Sequence, residues 1–301
     1  MRVLVAGLGE IARKAYLPVL GTFPGLDLHL ATRDRSVLAE VGAHYRIANR
    51  HTSIDEALSA ASFDAAFVHS ATETHPGMVE QLLRAGVPVF VDKPLADNFD
   101  EAARLVALAA GAGKLLTVGF NRRFAPDYAA LRGAPRDVCV MQKHRRGPLD
   151  SPRRTVFDDF IHVVDTLLFL SDRPAGRVTI ETIVDDGLLR SVTLMLASPG
   201  RVAVGSMSRE SGLDEERLDV IGGGIKRSVL NLSEQREQAD GREVVTRRPD
   251  WASVGRQRGF EAMCADFLQG VHEGRATAAH DILETHRICE EIVRHAEGKA
   301  D

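Results

Sequence analysis

The sequence predicts an α/β protein, with an N-terminal Rossmann dinucleotide-binding domain followed by an α+β domain built on an open, mainly antiparallel sheet. Three observations carry that expectation. Short, continuously apolar runs alternate with amphipathic segments through residues 1–120. The pattern Gly7-Leu8-Gly9-Glu10-Ile11-Ala12 joins the first apolar run to the first amphipathic one. After Gly119 the runs change character and alternate apolar with polar residues, as in Val178-Thr179-Ile180-Glu181-Thr182-Ile183.

Residues 3–6, 28–31, 65–69, 87–91 and 115–118 are expected strands. They are apolar almost throughout, as parallel strands are when helices cover both faces of a sheet. Helices are expected between them at 10–20, 36–44, 54–60, 76–85 and 99–110, and Gly86 sits where one helix must stop. Beyond, 138–143, 178–184, 191–197, 202–207 and 217–221 read as strands. A strong helix at 154–170 interrupts them, and helices near 254–273 and 279–296 close the chain. The expected domains are 1–120 and 121–301, with the boundary near Asn121.

The composition is that of a globular chain of 301 residues, 44% hydrophobic and 27% charged, with a formal net charge of -4. That balance offers no basis for a nucleic-acid partner. The basic pairs Arg145-Arg146, Arg153-Arg154 and Arg247-Arg248 read as solvated loop charge, an acidic substrate being the alternative. Three cysteines, Cys139, Cys264 and Cys289, match no disulfide or metal framework and fit a reducing compartment. The opening Met1-Arg2-Val3-Leu4-Val5-Ala6-Gly7 reads as a strand rather than a signal peptide, and no stretch has the length of a membrane span. The expectation is a cytoplasmic protein with a small-molecule substrate and no membrane or nucleic-acid partner.

The glycine pattern has a stated job for each position. Gly7 makes the tight turn, Gly9 lets the backbone approach a pyrophosphate, and Ala12 keeps helix and sheet close. Glu10 and Ile11 open the helix, whose N–H groups and dipole favour the anion. At the end of the 28–31 strand, an acid would hold a ribose 2'-hydroxyl, whereas an arginine suits a 2'-phosphate. Thr32 takes the acidic position and Arg33 follows it, so NADP(H) is favoured over NAD(H). The alternative makes Arg33 a solvated loop residue and Asp34 either a helix cap or the true ribose ligand, and a register shift of one or two residues restores NAD.

Two further groups carry chemistry. Asp92-Lys93-Pro94 follows the 87–91 strand, at the edge where open α/β sheets bind ligands. Lys93 can stabilise negative charge developing on a substrate oxygen, and Pro94 permits a cis bond that would aim it. In Asp158-Asp159-Phe160-Ile161-His162-Val163-Val164-Asp165, the spacing puts Asp158, His162 and Asp165 on one helical face. A histidine beside a carboxylate can exchange a proton near neutrality. The same spacing also permits a metal site or a plain polar face, and no metal is expected.

Taken in order, these elements resemble the Gfo/Idh/MocA oxidoreductase family across essentially the whole chain. They are Gly7-x-Gly9-x-x-Ala12, Phe67-Val68-His69-Ser70-Ala71-Thr72-Glu73-Thr74-His75, Val91-Asp92-Lys93-Pro94-Leu95, Val118-Gly119-Phe120-Asn121-Arg122-Arg123-Phe124 and the helix from Asp158 to Asp165. The match is nearest the MviM-like branch. The resemblance implies Lys93 and His162 as catalytic groups, with Asp158 binding substrate and supporting proton transfer. It implies Ser70, Ala71, Thr72, His75, Asp92 and Asn121 on the cofactor side. Arg123, Asp165 and, at the end of a strand, Lys143 are the further substrate candidates. It also implies a sugar, cyclitol or related polyhydroxy substrate bound between the domains, and a homodimer or homotetramer formed through the sheet. Some relatives of this kind cleave glycosides with no net redox change, and a non-catalytic nucleotide sensor is the other rival. Three departures from the family pattern stand out: Asp92 replaces a glutamate, Phe160 replaces a glycine and should narrow the substrate range, and Thr32 replaces the acid of the second strand.

Overall fold

The computed structural model describes residues 1–171 and 176–299. The chain forms two compact units: Met1–Phe120 with Phe260–Leu283, and Asn121–Gly259 with the residues from Glu284 onward. A single cut near Asn121 therefore omits a segment that returns to the first unit.

That unit holds a six-stranded parallel sheet: β1 (Arg2–Ala6), β2 (Asp27–Ala31), β3 (Asn49–His51), β4 (Ala65–Val68), β5 (Val89–Val91) and β6 (Leu116–Val118). The order is β3-β2-β1-β4-β5-β6. Strand order reverses between β1 and β4, so a ligand crevice opens at their carboxyl ends. β1, β2, β4 and β6 match their apolar runs to within one residue, and β5 begins two residues into its run. β3 was not expected, because Asn49-Arg50-His51 is polar and gains its conformation from pairing with β2, His29 opposite Asn49. The intervening helices are capped as their sequences allow. Asp34 accepts from the N–H groups of Ser36 and Val37, Ser53 from that of Glu56, and Asn98 from that of Glu101.

The expected helix at 254–273 is broken into Val254–Gln257 and Phe260–Glu273. Gly259 causes the break: its φ is +83°, and a Cβ there would lie 2.3 Å from the Asn121 carbonyl oxygen. In the first unit, Phe267 packs edge-on against Phe67 and Phe90.

The second unit carries an eight-stranded sheet: β7 (Val138–Arg146), β8 (Arg177–Asp185), β9 (Leu188–Ser198), β10 (Arg201–Ser208), β11 (Glu210–Gly222), β12 (Ile225–Leu230), β13 (Glu234–Ala239) and β14 (Arg242–Arg247). Its order is β14-β13-β12-β11-β7-β10-β9-β8, and neighbours run antiparallel except the parallel pair β7 and β10. The last three strands are not expected from the sequence; β14 is exposed at every position and β13 at half of its positions, leaving no apolar alternation to follow there. A helix over Pro152–Thr155 and Ile161–Leu170, with a π turn at Val156–Phe160 between, covers one face of β7 and β10. It comes so close that a Cβ on Gly205 would lie 2.5 Å from Val163 Cγ1. Among the described residues no helix is long and apolar enough to cross a membrane.

Candidate functional site

The first unit opens a cavity of about 590 Å³ at the switch point of its sheet, lined at its base by Gly7, Gly9, Glu10 and Ile11. Gly7 has φ +86°, and a Cβ there would meet the Ser70 nitrogen at 2.6 Å. Only glycine lets the turn pack against the loop after β4. Its N–H donates to the Ala31 carbonyl, while the His69 N–H donates to the Ala6 carbonyl, so the turn is tied to both neighbouring strands. Gly9 is different. A Cβ there would meet nothing closer than 4.0 Å, because the space beyond it is the cavity itself. Ala12 is fully buried under the helix. The base thus presents main chain at a helix N-terminus, the arrangement that receives a pyrophosphate.

Thr32 and Arg33 line the same cavity, as do Ser70 and Ala71. Asp34 caps its helix, one carboxylate oxygen accepting from the N–H groups of Ser36 and Val37, the cap role that the alternative reading named. The Thr52 hydroxyl is likewise engaged by Glu56, and the Ser53 hydroxyl caps its own helix. That end of the cavity holds Thr32 and the exposed Arg33, together with Asp55, whose carboxylate accepts from the Gln81 side chain.

Lys93 follows β5 and is half-buried, and the Lys93–Pro94 peptide is cis. Asp92 beside it accepts a 2.6 Å hydrogen bond from the Tyr16 hydroxyl. Burial pushes the Asp92 carboxyl above its ordinary range, outweighing the opposing pull of the Lys93 ammonium and the Tyr16 hydroxyl. Tyr16 reaches this position from a π turn, Ala12–Tyr16, in which the Leu17 N–H bonds back to the Ala12 carbonyl. Gly119 completes the arrangement, since a Cβ there would lie 2.8 Å from the Tyr16 hydroxyl and 3.1 Å from Asp92 Oδ1. The other face of the Tyr16 ring stacks on His69 at 3.8 Å. His69 is enclosed, neither ring nitrogen has a hydrogen-bond partner, and burial with His75 nearby lowers its pKa to about 3, keeping the ring neutral.

Not every expected cofactor residue lines the cavity. His75 is buried and braces the Lys93 loop instead, with Nδ1 2.7 Å from the Pro94 carbonyl and Nε2 3.0 Å from the Ser70 carbonyl. Thr72 lies in the short turn Thr72–Thr74 leading to it. Asn121 belongs to the second unit, is buried, and donates to the Arg258 carbonyl at 2.8 Å.

In the second unit the helix carries Asp158 and His162 half-buried, while Asp165 is 1% exposed. Asp158 and His162 do not keep the expected regular spacing, because the π turn interrupts the helical repeat between them. Asp158 lies 3.5 Å from Arg154, and Asp165 is bound by Arg123 at 2.6 Å through Nη2 and at 3.1 Å through Nε. Two residues expected to touch substrate are thus joined to each other, and the metal alternative loses Asp165 as a free ligand. Phe160 is also corrected: its ring is fully buried, 3.7 Å from where a Gly205 Cβ would stand, so it packs helix on sheet. Lys143 is 1% exposed and paired with Asp159, a residue the sequence reading did not single out. Burial lowers the Lys143 pKa to about 7 against the pull of Asp159. Alongside, Arg122 grips Glu216 with two bonds of 2.8 and 2.6 Å, and Tyr128 adds a third at 3.1 Å. The Glu216 pKa falls to about 2 despite its burial, because Arg122 and Lys143 stand beside it.

A parallel 3-2-1-4-5-6 sheet, a glycine turn and a cavity at the switch point define a nucleotide-binding Rossmann protein. Comparison with known proteins agrees. Residues 1–120 match the model of the oxidoreductase family with an NAD-binding Rossmann fold, and residues 126–240 match the YceM-like C-terminal domain. YceM of Salmonella typhimurium is 36% identical over 98% of this chain and 98% of its own length. The myo-inositol dehydrogenase Hyg17 of Streptomyces leeuwenhoekii is 32% identical over 74% of this chain and 70% of its own. The crystal structure of the dehydrogenase MviM from Clostridium difficile superposes with a TM-score of 0.92 at 28% identity, covering 98% of this chain and 99% of that one. The chain belongs to the Gfo/Idh/MocA family of oxidoreductases.

Proposed function

We propose that this oxidoreductase uses NADP(H) to interconvert a carbinol and a carbonyl in a sugar, cyclitol or related polyhydroxy compound. The observation that carries the cofactor reading is the cavity of the first unit, floored by Gly7 and Gly9 and edged by Thr32 and Arg33, with the neighbouring Asp34 committed to a helix cap. The bound nicotinamide would supply the hydride acceptor or donor. The main-chain N–H groups after Gly9 hold the pyrophosphate, and Thr32 with Arg33 hold the 2'-phosphate. Lys93, its loop set by Asp92, Tyr16 and His75, donates to the substrate oxygen and stabilises negative charge there. His162 takes the hydroxyl proton in oxidation and returns it in reduction, with Asp158 supporting it. The kinship with a myo-inositol dehydrogenase supports a polyhydroxy substrate. Self-association into a dimer or tetramer through the second unit's sheet belongs to the same reading.

The test is NADP⁺ reduction across a panel of polyols and sugars, repeated with Lys93→Met and His162→Asn. Each substitution should lower turnover by about 10² to 10⁴. Full turnover in both variants would overturn the assignment.

A further inference from the structure

β7 and β10 run parallel, so both end at the same edge of the sheet. Cys139, Met141 and Lys143 are buried at alternate positions on the helix-covered face of β7, and Arg145 is next in that series. Arg209 directly follows β10, where alternation from Ala203, Gly205 and Met207 gives it the same face. All three cations converge on one carboxylate. Asp159 is paired with Lys143, lies 2.7 Å from Arg209 Nη1, and lies 3.7 Å from Arg145 Nε. The neighbouring Glu216 cannot share the load, because Arg122 holds both its oxygens.

The layer therefore sets three arginines, Arg122, Arg145 and Arg209, together with the buried Lys143, against two carboxylates, Glu216 and Asp159. Arg154 close by is already matched, facing Asp150 at 3.4 Å and Asp158 at 3.5 Å. Arg145 and Arg209 thus share the single carboxylate of Asp159, and two guanidiniums on one carboxylate leave capacity for a second anion. The donor count points the same way. Arg209 spends Nη1 on Asp159 and Nη2 on the Pro148 carbonyl at 3.1 Å, while its Nε is buried with no partner. Lys143 has a side chain only 2% exposed and serves to hold Asp159, but Arg145 and Arg209 remain 27% and 17% exposed. A planar guanidinium fork is suited to carboxylate and phosphate alike. Asp159 adjoins Asp158 and sits on the helix that carries His162, so a group received here would be anchored beside the proton-transfer residues.

We propose that the substrate carries an acidic oxyanion, a carboxylate or a phosphate, received by Arg145 and Arg209 beside Asp159. This rests on the oxidoreductase reading above and names the class of polyhydroxy compound it takes, an acid rather than a neutral sugar.

The test is calorimetric titration of the full chain, loaded with NADPH, with three probes: D-gluconate, D-glucose 6-phosphate and uncharged sorbitol. At least one acid should saturate at one per chain, about tenfold or more tighter than sorbitol, and which one does so separates carboxylate from phosphate. Arg145→Gln and Arg209→Gln should each bring the acid-to-sorbitol ratio toward one. NADPH affinity and the melting curve report that the variants fold; Arg145, with its longer contact, is the safer position. Acids that bind no better than sorbitol, or a preference that survives both substitutions, would overturn the inference. Arginine-dependent acid binding without any turnover would instead defeat the dehydrogenase reading alone.

Discussion

The two units build their candidate sites from different materials. In the first, the cavity floor is main chain: a glycine turn at φ +86°, a glycine open to the cavity, and a helix N-terminus. In the second, the chemistry stands on side chains drawn from several elements, with Arg122 paired to Glu216, and Lys143 and Arg209 both paired to Asp159. A main-chain site is set by local turn geometry. A side-chain layer depends on residues far apart in sequence, and each member is costly once its partner is removed.

The largest effect should come from breaking that layer. Arg122→Ala leaves Glu216 buried without its partner and should cost about 3–5 kcal/mol, read by chemical denaturation. The pH dependence checks the cause. The folded Glu216 pKa of about 2 lies below its ordinary value of 4.5, so its contribution to stability is complete above that value and is lost as pH falls toward 2. Arg122→Ala should flatten that acid limb. An unchanged limb would assign the stability to other groups.

A smaller effect is expected where the first unit does rely on a side chain. Tyr16→Phe removes the donor to Asp92 and should cost about 1.5–3 kcal/mol. If Tyr16 positions the Lys93 loop, the variant should also shift the pH profile of kcat, which a merely structural loss would leave in place. The smallest effect separates cap from ligand. Asp34→Ala should lower stability by about 1 kcal/mol through the lost helix cap while leaving NADPH affinity intact. A fall in nucleotide affinity would make Asp34 the ribose ligand.

The same contrast explains what could be read from sequence. The apolar runs of β1, β2, β4 and β5 announced a buried parallel sheet, and Gly7 and Gly9 announced the turn, because each signal is local. β3 and the exposed β13 and β14 gave none, since pairing rather than hydrophobic pattern holds them. Tyr16 was invisible as a partner of Asp92 because 76 residues separate them, and Glu216 lies 94 residues from Arg122. Arg123 and Asp165 were both noticed, but only the fold reveals that they hold each other. Asp159 was passed over for Asp158, as helical spacing does not anticipate a π turn or three cations arriving from the sheet.

In the proposed function, Thr32 and Arg33 select the nucleotide bound in the first unit's cavity. Fluorescence titration of the purified chain with NADPH and NADH, alongside Arg33→Ala, tests it most directly. NADPH should bind about tenfold or more tighter than NADH, and Arg33→Ala should remove the difference. Tighter binding of NADH, or an NADPH preference untouched by Arg33→Ala, would contradict it.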